Sequence, residues 1–302
     1  EVVPLALGGG QTLAARRPSV EVANLAYGPL ARSTGTALRR PPPLFGVGVI
    51  EAIPDRAIIA GADPDDRDGD GISGRVILVD QGNSGTQRVG RFGWRSGVAT
   101  LAQQAADAFH LDMGLSSPTA QGGAGDCTLH QRDCIAAPDG ASAAKGGYEV
   151  SAREIELVAA YLSGLPPPAT TQSLERIAVG EKQLAALGCA ACHRPNFETM
   201  PQGARLFSDL LVHDMGEELA DAASDTVGVM AREWRTAPLW GLSARLGEIG
   251  RGQIDGLLHD GRAQNIAAAI AWHAGEASAA RDRFFALNST EQLALVGFLS
   301  GL

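Results

Sequence analysis

Residues 189–193 read Cys-Ala-Ala-Cys-His. Two cysteines at this spacing can each form a thioether to a haem vinyl group, and the histidine that follows is placed to ligate the iron. C-x-x-C-H is the attachment pattern of c-type haem. Three other readings compete: a thioredoxin-like redox pair, half of a zinc site, and chance. A redox pair should follow a strand in a βαβ setting, whereas this one follows a helix-like run, residues 175–187. A zinc site needs further ligands at short spacing, and the only other cysteines, Cys127 and Cys134, lie far upstream. Covalent haem is therefore the favoured reading.

A second stretch could hold a metal. Residues 63–75 carry Asp66, Asp68, Asp70 and Gly71 at EF-hand-like spacing, in which alternate carboxylates followed by glycine wrap a hard cation such as calcium. Ile77 stands where such a loop has its closing Glu. A solvated Asp-Gly turn is the competing reading.

The elements that must carry these residues belong to a chain of 302 residues, 45% hydrophobic and 20% charged, which is long enough for two domains. The net charge of −9 and the lack of a Lys/Arg-rich run argue against a nucleic-acid partner. No apolar run reaches membrane-spanning length. Haem is attached to c-type cytochromes outside the cytoplasm, so the motif implies a periplasmic or secreted protein. The chain opens at Glu1 rather than Met, which is expected of a mature or truncated product. Cys127 and Cys134 sit in a polar loop, either as a disulfide suited to an oxidising compartment or as two free thiols.

The chain repeats itself. Residues 154–165 (Glu-Ile-Glu-Leu-Val-Ala-Ala-Tyr-Leu-Ser-Gly-Leu) recur as residues 291–302 (Glu-Gln-Leu-Ala-Leu-Val-Gly-Phe-Leu-Ser-Gly-Leu). Both read as amphipathic helices beginning after Ser or Thr. Pro166, Pro167 and Pro168 stop the first copy. A weaker echo precedes each copy: a Gly/Arg turn running into an Ala-rich helix, from Phe92 and again from Leu258. Shared order and shared endings favour duplication over chance likeness. The expected fold is mainly α, with two cytochrome c-like helical domains and long ordered loops. Residues 1–168 form an incomplete N-terminal domain without a haem motif; residues 169–302 form the C-terminal c-type cytochrome domain with one haem.

The motifs taken together resemble the bacterial di-haem cytochrome c peroxidase and MauG superfamily, and more closely its di-haem oxidoreductase (peroxidase) branch, sometimes labelled thiol oxidoreductase. The stretches that carry the likeness are residues 43–54, Gly90-Arg-Phe-Gly-Trp94, Asp112-Met-Gly114, Cys189–His193, Ser208-Asp-Leu-Leu-Val-His-Asp-Met-Gly216, Glu233-Trp-Arg-Thr-Ala-Pro238 and Leu258-His-Asp-Gly-Arg262. The resemblance spans nearly the whole chain. It implies a second haem motif upstream of Glu1. It places the far axial ligand of the C-terminal haem at His273, counted from the turn that contains His259 and Arg262, with Met215 and His213 in reserve. It gives Trp94 the place of a tryptophan that passes electrons between haems. It gives Gln104 and Asp112 the places of a distal-pocket glutamine and a carboxylate that moves protons as peroxide is cleaved. Gln104 and Asp112 are closer in sequence than their counterparts, Asp is shorter than Glu, and a packing or capping role for Trp94 and Gln104 is the alternative. The superfamily also holds calcium between its haem domains through carbonyls like those of Thr236 and Pro238, but Pro41 stands where those relatives have Asn.

The resemblance thus implies a periplasmic haem oxidoreductase, peroxide-reactive in its di-haem form. Its partners would be peroxide or another small oxidant, and a protein or small-molecule electron donor. An electron-transfer cytochrome without turnover of its own, and a MauG- or rubber-oxygenase-like haem oxygenase, are the alternatives. Thioether attachment survives unfolding. Denatured protein from a c-type maturation host is therefore expected to weigh one haem more than the bare polypeptide; a mass equal to the polypeptide alone would refute covalent haem at Cys189 and Cys192.

Overall fold

A computed structural model describes residues 1–302 except 82–84, 171, 202–203 and 250–255. Helices predominate over three two-stranded antiparallel sheets among the described residues. The first sheet is an N-terminal hairpin, β1 (Val2–Ala6) with β2 (Thr12–Arg16). Two short helices follow, α1 (Val47–Glu51) and α2 (Asp55–Ile59), then β3 (Leu78–Asp80) paired with β4 (Gln87–Val89). Helix α3 (Leu101–Asp107) runs into a π-turn over Ala108–Asp112. Helix α4 (Arg132–Ala136) begins inside the loop closed by the Cys127–Cys134 disulfide and carries Cys134. Helices α5 (Ala152–Ser163) and α6 (Leu174–Leu187) lead to the C-x-x-C-H turn. Strands β5 (Val212–Asp214) and β6 (Glu233–Arg235) pair next, and four helices complete the chain: α7 (Leu242–Gly247), α8 (Ile266–Ala271), α9 (Ser278–Ala286) and α10 (Ser289–Leu299).

The two sequence repeats fold alike. Both long copies start with a capping box, Ser151 with Glu154 and Asn288 with Glu291, which satisfies orphan N–H groups at each helix start. The second cap is Asn288 rather than Ser289 or Thr290, because only at that position does the side chain reach the Glu291 N–H. Both preceding turns are closed by an isolated antiparallel bridge, Phe92 to Val98 and Leu257 to Ala263. Each turn then enters a helix capped by a polar side chain, Thr100 for α3 and Asn265 for α8. Helix α3 packs on α5, and α8 packs on α10. Each unit thus hides the apolar stripe of its capped helix against its own turn-helix.

Two main cores result. One joins α6, α8, α9 and α10 through Ile177, Leu184, Ile266, Trp272, Phe284, Leu295 and Phe298, and includes Leu5 and Ala15 of the N-terminal hairpin. Gly180 leaves room there for the Phe298 ring, since a Cβ would stand 2.3 Å from it. The other joins α1, α2 and α5 through Val47, Ile50, Ile58 and Leu162, with Leu206, Leu210, Leu211 and Trp240 from the C-terminal part. Phe207 belongs to the first core and its neighbour Leu206 to the second, so this buried segment is the seam between them.

Candidate haem site

Gly188 ends α6 in the left-handed conformation (φ 84°), which turns the chain out of the helix and into the cysteine motif. Cys189–Ala191 form a 3₁₀ turn, and the His193 N–H closes the motif on the Cys189 carbonyl at 2.9 Å. Cys189 and Cys192 are not bridged, whereas Cys127 and Cys134 are. Burial pushes the Cys189 thiol up to about 11 and raises that of Cys192. Raised thiols are the opposite of the lowered pKa that activates a redox C-x-x-C pair.

The His193 ring lies 6.5 Å, centre to centre, from the His273 ring. His193 donates through Nδ1 to the Phe207 carbonyl at 3.0 Å, and His273 donates through Nδ1 to the Ala269 carbonyl at 2.8 Å. A carbonyl can only accept, so Nδ1 carries the proton in both rings and the free lone pair sits on Nε2. Desolvation lowers both imidazoles, His273 to about 4, so both are neutral at pH 7. Metal–imidazole bonds are about 2 Å long and each ring centre lies roughly 1 Å behind its nitrogen, so two imidazoles on one metal have centres about 6 Å apart. The 6.5 Å separation is close to that spacing.

Both histidines are held from behind. His273 follows Trp272, whose ring is 1% exposed and has the Arg262 guanidinium 4.4 Å from its centre. Arg262 is pinned by Asp260 at 2.8 Å and by the Glu218 carbonyl at 2.7 Å. Arg262 is therefore a brace for His273. His213 stands beside the motif, its Nδ1 3.6 Å from Cys192 Sγ. It donates through Nδ1 to Glu276 at 2.8 Å and through Nε2 to Asp209 at 3.0 Å. These two carboxylates push it up to about 12 against the cost of burial. Both its ring nitrogens are committed, which leaves no lone pair for a metal. Met215 packs against the first core. Asp209 and Glu276 gave no signal in the sequence, because the contact that gives Glu276 a role spans 63 positions.

His259 lies face to face with Trp234, with ring centres 3.7 Å apart and planes 11° apart. Arg95 sits 3.8 Å from the same indole centre, so the two must occupy opposite faces. Trp94 meets His259 edge-on at 6.4 Å and donates from Nε1 to the Arg40 carbonyl at 2.7 Å. Trp94 thus joins the first core. Gln104 is on α3, its side chain without a hydrogen bond among the described residues, and Asp112 is exposed at the end of the π-turn.

The carboxylates of Asp66, Asp68 and Asp70 lie within 4.8 Å of one another. Asp66 accepts from the Gly71 N–H at 3.1 Å, Asp68 from the Asp70 N–H at 3.2 Å, and Asp70 from the Ile72 N–H at 2.8 Å. The loop's exit is fastened near the motif: Ser73 Oγ donates to Glu276 at 2.8 Å. The Thr236 carbonyl, the other cation donor the resemblance suggested, already accepts from Ser208 Oγ at 2.7 Å and from Arg235 Nη1 at 3.2 Å.

Free thiols at C-x-x-C-H spacing, with a neutral histidine pair beside them on a helical frame, are the groups a covalently bound haem would need. More particularly, the chain belongs to the family described as "di-haem oxidoreductase, putative peroxidase", whose model matches residues 15–302. No curated protein matches the chain. Among solved structures it is similar to a chain of hydrazine synthase from Kuenenia stuttgartiensis, at 14% identity over 95% of this chain and 99% of that one, with a TM-score of 0.35.

The stack on Trp234 generates a test. His259 Nε2 is buried with no hydrogen-bond partner among the described residues, and burial depresses the imidazole to about 3 from its ordinary 6.5. A depressed histidine contributes stability that is present above the ordinary value and lost as pH falls towards the folded one. His259→Phe keeps an aromatic ring on Trp234 and removes the orphan nitrogen. It is expected to gain about 1 kcal/mol at pH 7 and to lose less stability than the parent on acidification to pH 4. Urea unfolding at both pH values measures this; equal acid losses in the two proteins would show that His259 does not contribute.

Proposed function

We propose that this chain is a periplasmic c-type haem oxidoreductase of the peroxide-reducing kind. Its C-terminal haem is attached through Cys189 and Cys192, lies between His193 and His273, and serves as electron store and relay. The observation that carries the reading is the His193–His273 pair: neutral rings, 6.5 Å apart, with Nδ1 of each tied to a backbone carbonyl. Such haem, when bound, supplies reversible one-electron chemistry. His193 and His273 would hold the haem iron between them through their free Nε2 atoms, which would leave no open position for peroxide. Trp272, Arg262 and the Phe207 carbonyl fix the two rings, so little rearrangement accompanies a change of charge. A second haem, as the family's di-haem character suggests, would supply the peroxide chemistry, and Gln104 and Asp112 would be the side chains to orient the oxygens and supply a proton there. The disulfide and the lack, among the described residues, of any helix long and apolar enough to cross a membrane accord with periplasmic placement.

A carrier without turnover is the second reading. It is favoured by Asp112 standing in solvent and by Trp94 packing in a different core from the one α3 joins. Peroxide consumption coupled to donor oxidation in di-haem protein separates the two, since a carrier oxidises no donor catalytically.

Calcium is the further cofactor of this reading, held by Asp66, Asp68 and Asp70. Excess calcium added after chelation is expected to raise the melting temperature, since a ligand at one hundred times its Kd stabilises the folded state by about 2.7 kcal/mol. The increment should vanish in Asp68→Ala; a parent protein indifferent to calcium would leave the loop as a solvated turn.

His273→Ala is expected to turn the low-spin spectrum of the C-terminal haem high-spin by opening one axial position. A low-spin spectrum that survives the substitution would assign the sixth position to another side chain.

A further inference from the structure

Five arginines are buried among the described residues: Arg40, Arg91, Arg95, Arg235 and Arg262. Four have a carboxylate partner. Arg40 meets Glu248 at 2.7 Å, Arg91 meets Asp55, Arg95 meets Asp221 at 2.7 Å and Asp225 at 2.9 Å, and Arg262 meets Asp260 at 2.8 Å. Arg235, on β6 and 6% exposed, forms no ion pair among the described residues. It donates only to carbonyls, from Nε to Gly93 at 2.9 Å and from Nη1 to Thr236 at 3.2 Å, and Nη2 has no acceptor there. Asp209 acts on it electrostatically, but that carboxylate is already taken by His213 at 3.0 Å and the Leu211 N–H at 3.0 Å. Burial pulls Arg235 down to about 10, which leaves it fully charged at pH 7. A buried charge without a counter-ion is strongly unfavourable, and a guanidinium whose outer nitrogen is free is shaped for a carboxylate.

Its position says which carboxylate. On one side, the Thr236 carbonyl that accepts from Arg235 also accepts from Ser208 Oγ, and Ser208 follows Phe207, whose carbonyl holds His193. On the other side, the Arg235 N–H donates to the Trp94 carbonyl at 2.8 Å. Arg235 therefore lies between the segment that supports the iron-facing histidine and the turn that carries Trp94. We propose that Arg235 is a carboxylate-binding residue that receives a propionate of the haem attached at Cys189 and Cys192. The inference rests on the haem reading above. It makes Arg235 a positioning residue, which fixes the haem edge beside Trp94 and holds a positive charge near the iron.

The test uses the haem-loaded chain, with Arg235→Gln, which removes the charge, and Arg235→Lys, which keeps it without the planar fork. Intact mass and the low-spin spectrum are checked first, so that failure of haem attachment is recognised as failure of the earlier reading. Resonance Raman propionate bending modes are expected to shift in both variants. The midpoint potential should fall in Arg235→Gln, because losing a nearby cation favours oxidised iron. At fixed solution potential the ratio of oxidised to reduced haem should rise about tenfold, about 59 mV for one electron, and Arg235→Lys should recover most of that. Unchanged propionate modes in a folded, haem-loaded Arg235→Gln protein would overturn the contact, whatever the potential does. Added acetate distinguishes a free carboxylate: a parent spectrum or potential that responds to acetate, with the response abolished in Arg235→Gln, would overturn the propionate assignment in favour of a solution anion.

Discussion

The structure depends on holding two imidazoles a fixed distance apart with their proton-bearing nitrogens turned away from each other. A histidine is a good ligand only when neutral and only through the nitrogen without a proton, and neither condition is met by an imidazole free in water near its ordinary pKa. Here two backbone carbonyls, of Phe207 and Ala269, fix the tautomer of His193 and His273, and burial fixes the charge state. The Ala269 carbonyl lies within α8, one turn before His273. The Phe207 carbonyl lies on the seam between the two cores. The placement of the two rings is thus set by a helix end on one side and by an irregular, buried segment on the other.

Around this pair the interior is unusually ionic. Buried ion pairs contribute little net stability, but removing one partner costs about 3–5 kcal/mol, so each pair specifies its own arrangement. Arg262 with Asp260 sets the plane on which Trp272 lies. Arg95 with Asp221 and Asp225 sets the plane on which Trp234 and then His259 lie. His213 between Asp209 and Glu276 ties the strand after the cysteine motif to the turn after His273. Each buried aromatic ring removes roughly 150–250 Å² from water. The guanidinium groups stacked on them decide which way the rings face.

The duplicated units give the frame its economy. Each consists of a turn closed by one antiparallel bridge, a polar-capped Ala-rich helix, and a longer capped helix packed against it. In the second unit the turn supplies His259 and Arg262 and its helix delivers His273. In the first, the corresponding turn supplies Trp94 and Arg95, and these reach across to Trp234 and His259 of the C-terminal part. The repeated units therefore meet through aromatic and guanidinium groups of their turns.

The sequence by itself determined the local items. The cysteine motif, the helix before it, the proline stop after α5, the capped repeats and the family are legible because each rests on residues within a few positions of one another. Capping boxes, C-x-x-C-H and Asp-x-Asp-x-Asp all work through nearest neighbours. The turn and helix that carry His273 were also legible, because the two are contiguous. Tertiary structure alone decided that both nitrogens of His213 are taken and that the Thr236 carbonyl is already in use. It alone packed Trp94 against the first core, left Asp112 exposed, and left Arg235 buried without an acid partner among the described residues. These facts each need at least one partner that is distant in the chain, such as Glu276 for His213 and Ser208 for Thr236. Whether a charge or lone pair is spent depends on what folding brings beside it, and no residue's own neighbours in the chain record that.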